Sequence, residues 1–336
     1  MDRMNPNYAL DKCAIVGEIV GMKTELVPTP PSLTLVEIMQ HFATEEKARQ
    51  YLEAIRWPNG PVCPHCHNSN QARIWRIAAN PAKKIRPGLL HCAECNKQFT
   101  VTVGTIFEDS HIPLNKWLIA WYLLNSSKKG ISSLQIQRTL GLGSYRSALF
   151  MMHRIRHALQ DPALSGVKLG GTVEIDETYI GGKAKGMGRG YLGNKTAVVS
   201  LVQRDGKARS VVMTRVTGET LNAFLKAHVK ASATIYTDQL PAYRPGTKGF
   251  KRHEHVNHHV KEYVRGDVHT NTVEGFFSIL KRGIVGTFHN VSEKHLPLYL
   301  AEFDHRHNTR KMTDGERSIV GLRKMEGKRL MYKSGS

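Results

Sequence analysis

The chain has 336 residues, and 48 Lys and Arg stand against 28 Asp and Glu, a formal charge of +20. That excess points to a polyanionic partner, most often nucleic acid, over a merely soluble basic protein. No run of 18 apolar residues exists, so a transmembrane helix is not expected and no membrane partner is assigned. The first residues lack a basic segment followed by an apolar one, so no signal peptide is expected and a cytoplasmic location follows. Four of the five cysteines fall in Cys-x-x-Cys pairs, which under those conditions means metal before disulfide.

Residues 1–32 read as a weakly structured segment closed by Pro28, Pro30 and Pro31. Met22 is an alternative start, and Cys13 stands alone. Residues 33–108 form the next block. Leu35, Ile38, Met39 and Phe42, then Ala48, Tyr51, Leu52 and Ile55, recur at helical spacing and predict two short helices. Thr44 caps the second, and Pro58-Asn-Gly60 ends it. Cys63-Pro-His-Cys66 and Cys92-Ala-Glu-Cys95 follow, with 25 residues between the pairs. Two such knuckles complete a closed tetrahedral site for one structural Zn²⁺, and the strand-like stretches Arg73–Ile77, Leu89–His91 and Gln98–Val101 make the block a zinc ribbon. His65, His67 and His91 read as bystanders, because four sulfurs already fill the site. A redox dithiol is the alternative, and two pairs argue against it.

Residues 109–162 are expected to be a helix-turn-helix DNA-binding region. Lys116, Lys128, Lys129, Arg138, Arg146, Arg154 and Arg156 lie in 110–160, which contains no acid. A first helix holds Trp117, Leu118, Ala120, Trp121 and Leu124. A second, capped by Ser132 or Ser133, runs to Leu140. Gly141-Leu-Gly143 turns the chain, and Ser144 caps a third with Ala148, Met152, Ile155 and Leu159 buried. Tyr145, Arg146 and Ser147, in the first turn of that helix, are expected at base edges, and Arg154 and Arg156 at phosphates. The alternative is a helical spacer whose charges are only solvated.

After an Asp161-Pro-Ala-Leu-Ser-Gly linker, residues 168–312 read as an α/β domain. Thr172–Gly182 is a strand on which Val173 and Ile175 alternate with Glu174 and Asp176, and it ends in glycines. A basic loop (Gly186–Gly190), strands Thr196–Gln203 and Ala208–Val216 joined at Asp205-Gly206, and a helix Thr220–Val229 follow. A strand ending at Asp238 and a helix from Asn271 to Lys281 complete an RNase H-like order in a mixed sheet. His253, His255, His258 and His259 are read as solvated or phosphate-facing rather than as a second zinc site. Residues 313–336 are expected to be a basic C-terminal tail, helical to about Lys328.

Carboxylates form strands poorly, so acids on a strand call for a reason. Asp176, Asp238 and Glu274 sit on three separate elements and can converge on divalent metal ions. On the last helix Asn271, Glu274, Ser278 and Lys281 make one polar stripe, opposite Val273, Phe277, Leu280 and Ile284. Glu174, Glu177 and Asp267 read as strand-face or loop charges.

Asp176, Asp238, a 35-residue interval, Glu274, and Lys281 seven residues on resemble the DDE signature of bacterial insertion-sequence transposases and retroviral integrases. The phrases Asp-Glu-Thr-Tyr-Ile-Gly-Gly, His-Thr-Asn-Thr-Val-Glu-Gly-Phe-Phe-Ser and Glu302-Phe-Asp-His-Arg-His-Asn308 resemble the transposase group with an N-terminal zinc ribbon. The resemblance covers about Trp57 to Arg310. It implies that Asp176, Asp238 and Glu274 hold two Mg²⁺ (or Mn²⁺) ions, and that Lys281 and Asn271 lie against DNA. It also implies a bacterial, nucleoid-associated protein acting on transposon ends and target DNA as a homodimer or higher oligomer. Asn271, one helical turn before Glu274, is the alternative third ligand. Two rival readings remain: an RNase H-like endonuclease of resolvase type, and a zinc and helix-turn-helix regulator without catalysis.

Overall fold

The computed structural model describes residues 34–160, 166–182, 193, 195–257, 260 and 262–331. The expected N-terminal segment, the Gly186–Gly190 loop, His258, His259 and Lys333 lie outside the described residues. The chain divides into two compact units, 1–103 and 104–336.

In the first unit Thr34 starts helix α1 (Leu35–His41) with a capping box to Glu37, and Thr44 caps α2 (Glu45–Arg56) as expected. Ala48, Tyr51, Leu52 and Ile55 are buried, whereas on α1 only Ile38 is, with Phe42 just beyond it. Leu35 and Met39 are 38% and 54% exposed, so the apolar stripe drawn there is half surface. Strands β1 (Ile74–Arg76), β2 (Leu90–Cys92) and β3 (Lys97–Phe99) form an antiparallel sheet in that order. Arg56 donates to the carbonyls of Val101 (2.7 Å) and Val103 (2.8 Å), and Arg76 pairs with Glu53, tying α2 to the ribbon.

The second unit is built on a five-stranded sheet in the order β6-β5-β4-β7-β8. The strands are β4 (Thr172–Ile180), β5 (Thr196–Gln203), β6 (Ala208–Met213), β7 (Thr234–Thr237) and β8 (Arg252–His255). β4, β5 and β6 are antiparallel neighbours, and β7 and β8 continue parallel to β4. This is the RNase H-like arrangement expected from the element order. Val173, Ile175, Val199, Leu201 and Ile235 face helix α6 (Gly218–His228) through Leu221, Phe224 and Leu225. A short helix α7 (Tyr243–Gly246) lies on the same side, and a hairpin of β9 (Val264–Arg265) and β10 (Val268–His269) precedes α8. On the other face Val198, Val202 and Ala208 meet α8 (Asn271–Gly283) and α9 (Leu296–Asn308). Burial on both faces explains why β5 reads as a continuous apolar run.

Helices α3 (Leu114–Ser126), α4 (Ser133–Leu140) and α5 (Tyr145–Leu159) belong to this same unit, as does α10 (Asp314–Leu322). Segments drawn apart at 109–162 and 313–336 are therefore packed together with the sheet. The Trp121 indole donates to the Ser318 carbonyl (3.0 Å), and Arg317 donates to the Asn125 carbonyl (2.7 Å). Ile319, Leu322 and Met325 are buried, and Lys328 donates to the Ala158 carbonyl (2.6 Å). The described part of the basic tail is thus a docked helix and turn.

The phrase Glu302 to Asn308 is the clamp of this unit. Glu302, fully buried, accepts from Arg156 Nε at 2.6 Å and is ion-paired with Arg306. His305 Nε2 meets Asn125 Oδ1 at 3.0 Å. Asp304 accepts from the Ser210 amide (2.8 Å) and hydroxyl (2.7 Å), while Asn308 bonds both the amide and the carbonyl of Ala208. Asp304 and Asn308 are one turn apart, so they occupy successive outward groups of the edge strand β6. A covered edge is one that cannot pair with another chain.

Candidate metal centres and nucleic-acid interface

Parallel pairing of β4 with β7 matches Thr172 to Thr234 and Glu174 to Tyr236. Continued by two residues, that register brings Asp176, in the middle of β4, level with Asp238 just past the C-terminal end of β7, the end at which open α/β sheets bind ligands. The carboxylate oxygens of Asp176, Glu177 and Asp238 lie within 4.8 Å of one another. Glu177 points to the α6 side of the sheet, where the buried Tyr243 hydroxyl donates to its Oε2 at 2.6 Å. Asp176 Oδ1 accepts from the Glu177 amide (2.8 Å), and Asp238 Oδ1 accepts from the Leu240 amide (2.9 Å). Burial pushes the Asp176 carboxyl up to about 8, reinforced by the charges of Glu177, Asp238 and Glu274. Glu177 is raised as well, by burial first. Hard oxygen donors crowded until one holds its proton fit a divalent cation, which replaces that proton with positive charge.

Glu274 stands in the first turn of α8, exposed, and its Oε1 accepts from the Thr270 hydroxyl at 2.8 Å. It lies close enough to raise Asp176 but is not one of the three clustered carboxylates. The start of α8 is held by Glu174, which is fully buried. Its carboxylate accepts from the amides of Thr272 (2.8 Å) and Val273 (3.1 Å) and the Thr272 hydroxyl (2.9 Å), and pairs with Arg204 (2.7 Å). An acid at a helix N-terminus satisfies orphan amides and the helix dipole. Glu174 is therefore an anchor, two residues before Asp176 on the same strand face. The polar stripe holds: Asn271, Glu274 and Lys281 are exposed and Ser278 half-buried, while Val273, Phe277, Leu280 and Ile284 are buried.

In the ribbon the four sulfurs of Cys63, Cys66, Cys92 and Cys95 also lie within 4.8 Å of one another. Cys63 and Cys95 are 3.6 Å apart, and Cys66 and Cys92 are 3.7 Å apart. Four thiolates at about 2.3 Å from a tetrahedral Zn²⁺ sit about 3.8 Å from each other, so the arrangement fits that ion. Each knuckle turns at a left-handed residue after its second cysteine, His67 (φ 60°) and Asn96 (φ 55°). Burial opposes the Cys92 thiolate, yet the amides of Cys95 and Glu94 and the Asn68 side chain outweigh it and bring the thiol down to about 6. His65, His67 and His91 are not in the metal-compatible group, and His91 stacks on Trp75.

The helical region keeps part of what was expected of it. Gly141 closes α4 at φ 57°, and Ser144 caps α5 by accepting from the Ser147 amide at 3.1 Å. Tyr145 (50% exposed), Arg146 and Ser147 are on the surface in the first turn. Arg154 and Arg156 are not, and their assignment to phosphates is corrected. Arg154 donates to the Glu108 carbonyl (2.5 Å) and lies over Trp117. Arg156 is fully buried, bound to Glu302, with its guanidinium 4.0 Å from the centre of the Tyr299 ring. Met151 to Arg156 are all buried, so α5 is enclosed on every side at this point and both arginines are interior, which their charge concealed.

The fold and its two centres define a zinc-ribbon protein with an RNase H-like domain and an acidic metal-compatible site. A family model described as the ISXO2-like transposase domain matches residues 168–308, and one described as the transposase zinc-ribbon domain matches 43–98. A Halobacterium salinarum protein described as an uncharacterized protein in transposable element ISH50 is 31% identical over 285 residues, 79% of this chain and 91% of that protein. The chain belongs to the insertion-sequence transposases with an ISXO2-like DDE domain behind a zinc ribbon. No helix among the described residues is long and apolar enough to cross a membrane.

Proposed function

We propose that this protein is a DDE transposase that binds the ends of its insertion sequence, cuts there and joins the freed 3′-hydroxyl to target DNA. The observation that carries the reading is the level placement of Asp176 and Asp238 on adjacent parallel strands, with Glu274 on a helix whose start Glu174 holds against the same strand. Two Mg²⁺ or Mn²⁺ ions bound by these acids would activate water or a hydroxyl and stabilise the leaving oxygen. Asp176, Asp238 and Glu274 would hold these ions. Lys281, two turns along the stripe from Glu274, holds a DNA phosphate beside them, and Asn271 contacts the strand at the helix start. Tyr145, Arg146 and Ser147 read the end sequence, steadied by the packing of α5 under them. No covalent protein–DNA intermediate is required, and the working form is a homodimer or larger, since two ends are joined.

One observation favours a second reading of the third acid. Glu177, not Glu274, is within 4.8 Å of both aspartates. The test is end binding and Mg²⁺-dependent strand transfer, with end sequences taken from the DNA flanking the gene. Asp238→Asn should bind ends as tightly as wild type and lose cutting and joining together. Loss of chemistry in Glu274→Gln with activity kept in Glu177→Gln and Asn271→Ala supports the first reading, and the reverse pattern supports the second. Cleavage without joining would favour the endonuclease, and strand transfer by Asp238→Asn would overturn the metal site.

A further inference from the structure

Acid-free stretches of the sequence include 110–160, with seven Lys and Arg, and 275–292, with Lys281 and Arg282. They meet in the folded unit. Gly283, in the last turn of α8, lies so close to the loop after α3 that a methyl group on it would be 2.7 Å from the Lys129 carbonyl oxygen and 2.3 Å from the Phe303 ring. Gly130, at φ 93°, presses on Phe288 just beyond α8, and a methyl group there would be 2.4 Å from that ring. Both positions exclude any larger residue. They set the exposed Lys128 and Lys129 beside the exposed Lys281 and Arg282.

The loop is held from below. Arg306 donates to the Ser127 carbonyl, Arg317 to the Asn125 carbonyl, and the Ser127 hydroxyl to the Gly130 carbonyl at 2.6 Å. Glu302, beneath Gly130, has its charge taken by Arg156 and Arg306 and is fully buried. Four cations on a clamped support thus face outward next to the stripe that carries Glu274.

We infer that Lys128, Lys129 and Arg282 extend Lys281 into a phosphate-binding rail that carries the transposon-end duplex from the α4–α5 helices to the acidic centre. This rests on the proposed function and adds the path of the DNA. The eight residue steps from Glu274 to Arg282 span about 12 Å of helix, or roughly three to four base pairs of duplex. Lys128 and Lys129 lie on the same acid-free stretch as the exposed first turn of α5, to which reading of the end sequence is assigned, so end DNA is the occupant rather than target DNA. Contacts to phosphate position a duplex without reading it, which suits lysines on a fixed loop.

The test uses full-length protein carrying Lys128→Ala with Lys129→Ala, and separately Arg282→Ala, on a duplex drawn from the DNA just outside the coding region. Zinc content and melting temperature check the fold. Removing two phosphate contacts should flatten the slope of log affinity against log salt by about 2 and weaken end binding roughly tenfold at moderate salt. Cleavage should need more DNA to saturate but reach the wild-type rate once saturated, because the acids are untouched. Wild-type affinity and slope in both variants would overturn the inference. Unchanged end binding with weakened target capture would overturn the assignment to end DNA. If wild type binds this duplex but never cuts it, while the lysine pair still changes the slope, the rail stands and the proposed function falls.

Discussion

Glu302→Gln removes one charge from a buried group of three and changes almost nothing in shape. Glu302 is fully buried with Arg156 at 2.6 Å and Arg306 ion-paired on its other oxygen. Burial raises its carboxyl, but the two guanidinium charges outweigh this and hold it below the usual glutamate range. The variant leaves two interior guanidiniums facing a neutral amide, which costs about 3–5 kcal/mol. For a unit of this size that is roughly a 6–20 °C drop in melting temperature. Arg156→Met should cost less, because Glu302 keeps Arg306 and what is lost is one ion pair and the contact with Tyr299. The pH dependence has a definite sign. A lowered folded-state value gives stability that is full above the ordinary glutamate range and lost as pH falls through the lowered value. Wild type should show that acid limb and Glu302→Gln should lack it. The assay is thermal unfolding across pH, joined to the salt dependence of DNA binding. Arg156→Met should leave the salt slope unchanged. If instead it loses about one phosphate contact's worth of slope at an unchanged melting temperature, Arg156 reaches DNA and the account of a buried clamp is wrong.

Purified protein should carry about one zinc per chain, and Cys63→Ser or Cys92→Ser should release it, as read by a colorimetric chelator; full retention in both would refute the four-sulfur site. Without added metal, a carboxyl raised to about 8 at Asp176 means that stability falls as pH rises from the ordinary aspartate range through 8, and Asp176→Asn should flatten that fall. Mg²⁺ should accordingly raise the melting temperature more at about pH 8.5 than at about pH 6, where it must displace a proton; the opposite order would refute the crowded-acid account. Tyr243→Phe removes the hydroxyl that holds Glu177, so half-saturating Mg²⁺ for cleavage should rise several-fold while end binding stays constant, and an unchanged Mg²⁺ dependence would separate Glu177 from the metal.

Local chemistry is written in this chain, and the sequence by itself determined what depends on it. Two knuckles at short spacing specify four sulfurs wherever the ribbon goes. Alternation on β4, the apolar stripe of α8, and the caps at Thr44, Ser132 and Ser144 follow from periods of two and 3.6 and from side chains that satisfy nearby amides. The pairing of Asp176 with Asp238 was also within reach, through motif spacing. What only the tertiary structure decided is which charges face water. Arg154 and Arg156 look like DNA contacts in a basic run, yet they are interior, because their partners, the Glu108 carbonyl and the Glu302 carboxylate, arrive from outside their helix. Glu174 and Glu177 are three residues apart on one strand and looked equally incidental. One became a helix anchor because α8 starts on that face, and the other joined the acidic cluster because Tyr243 stands on the opposite one. A charge declares its need for a partner in the sequence, but the partner's distance along the chain, 146 residues for Arg156 and Glu302, puts the answer in the packing.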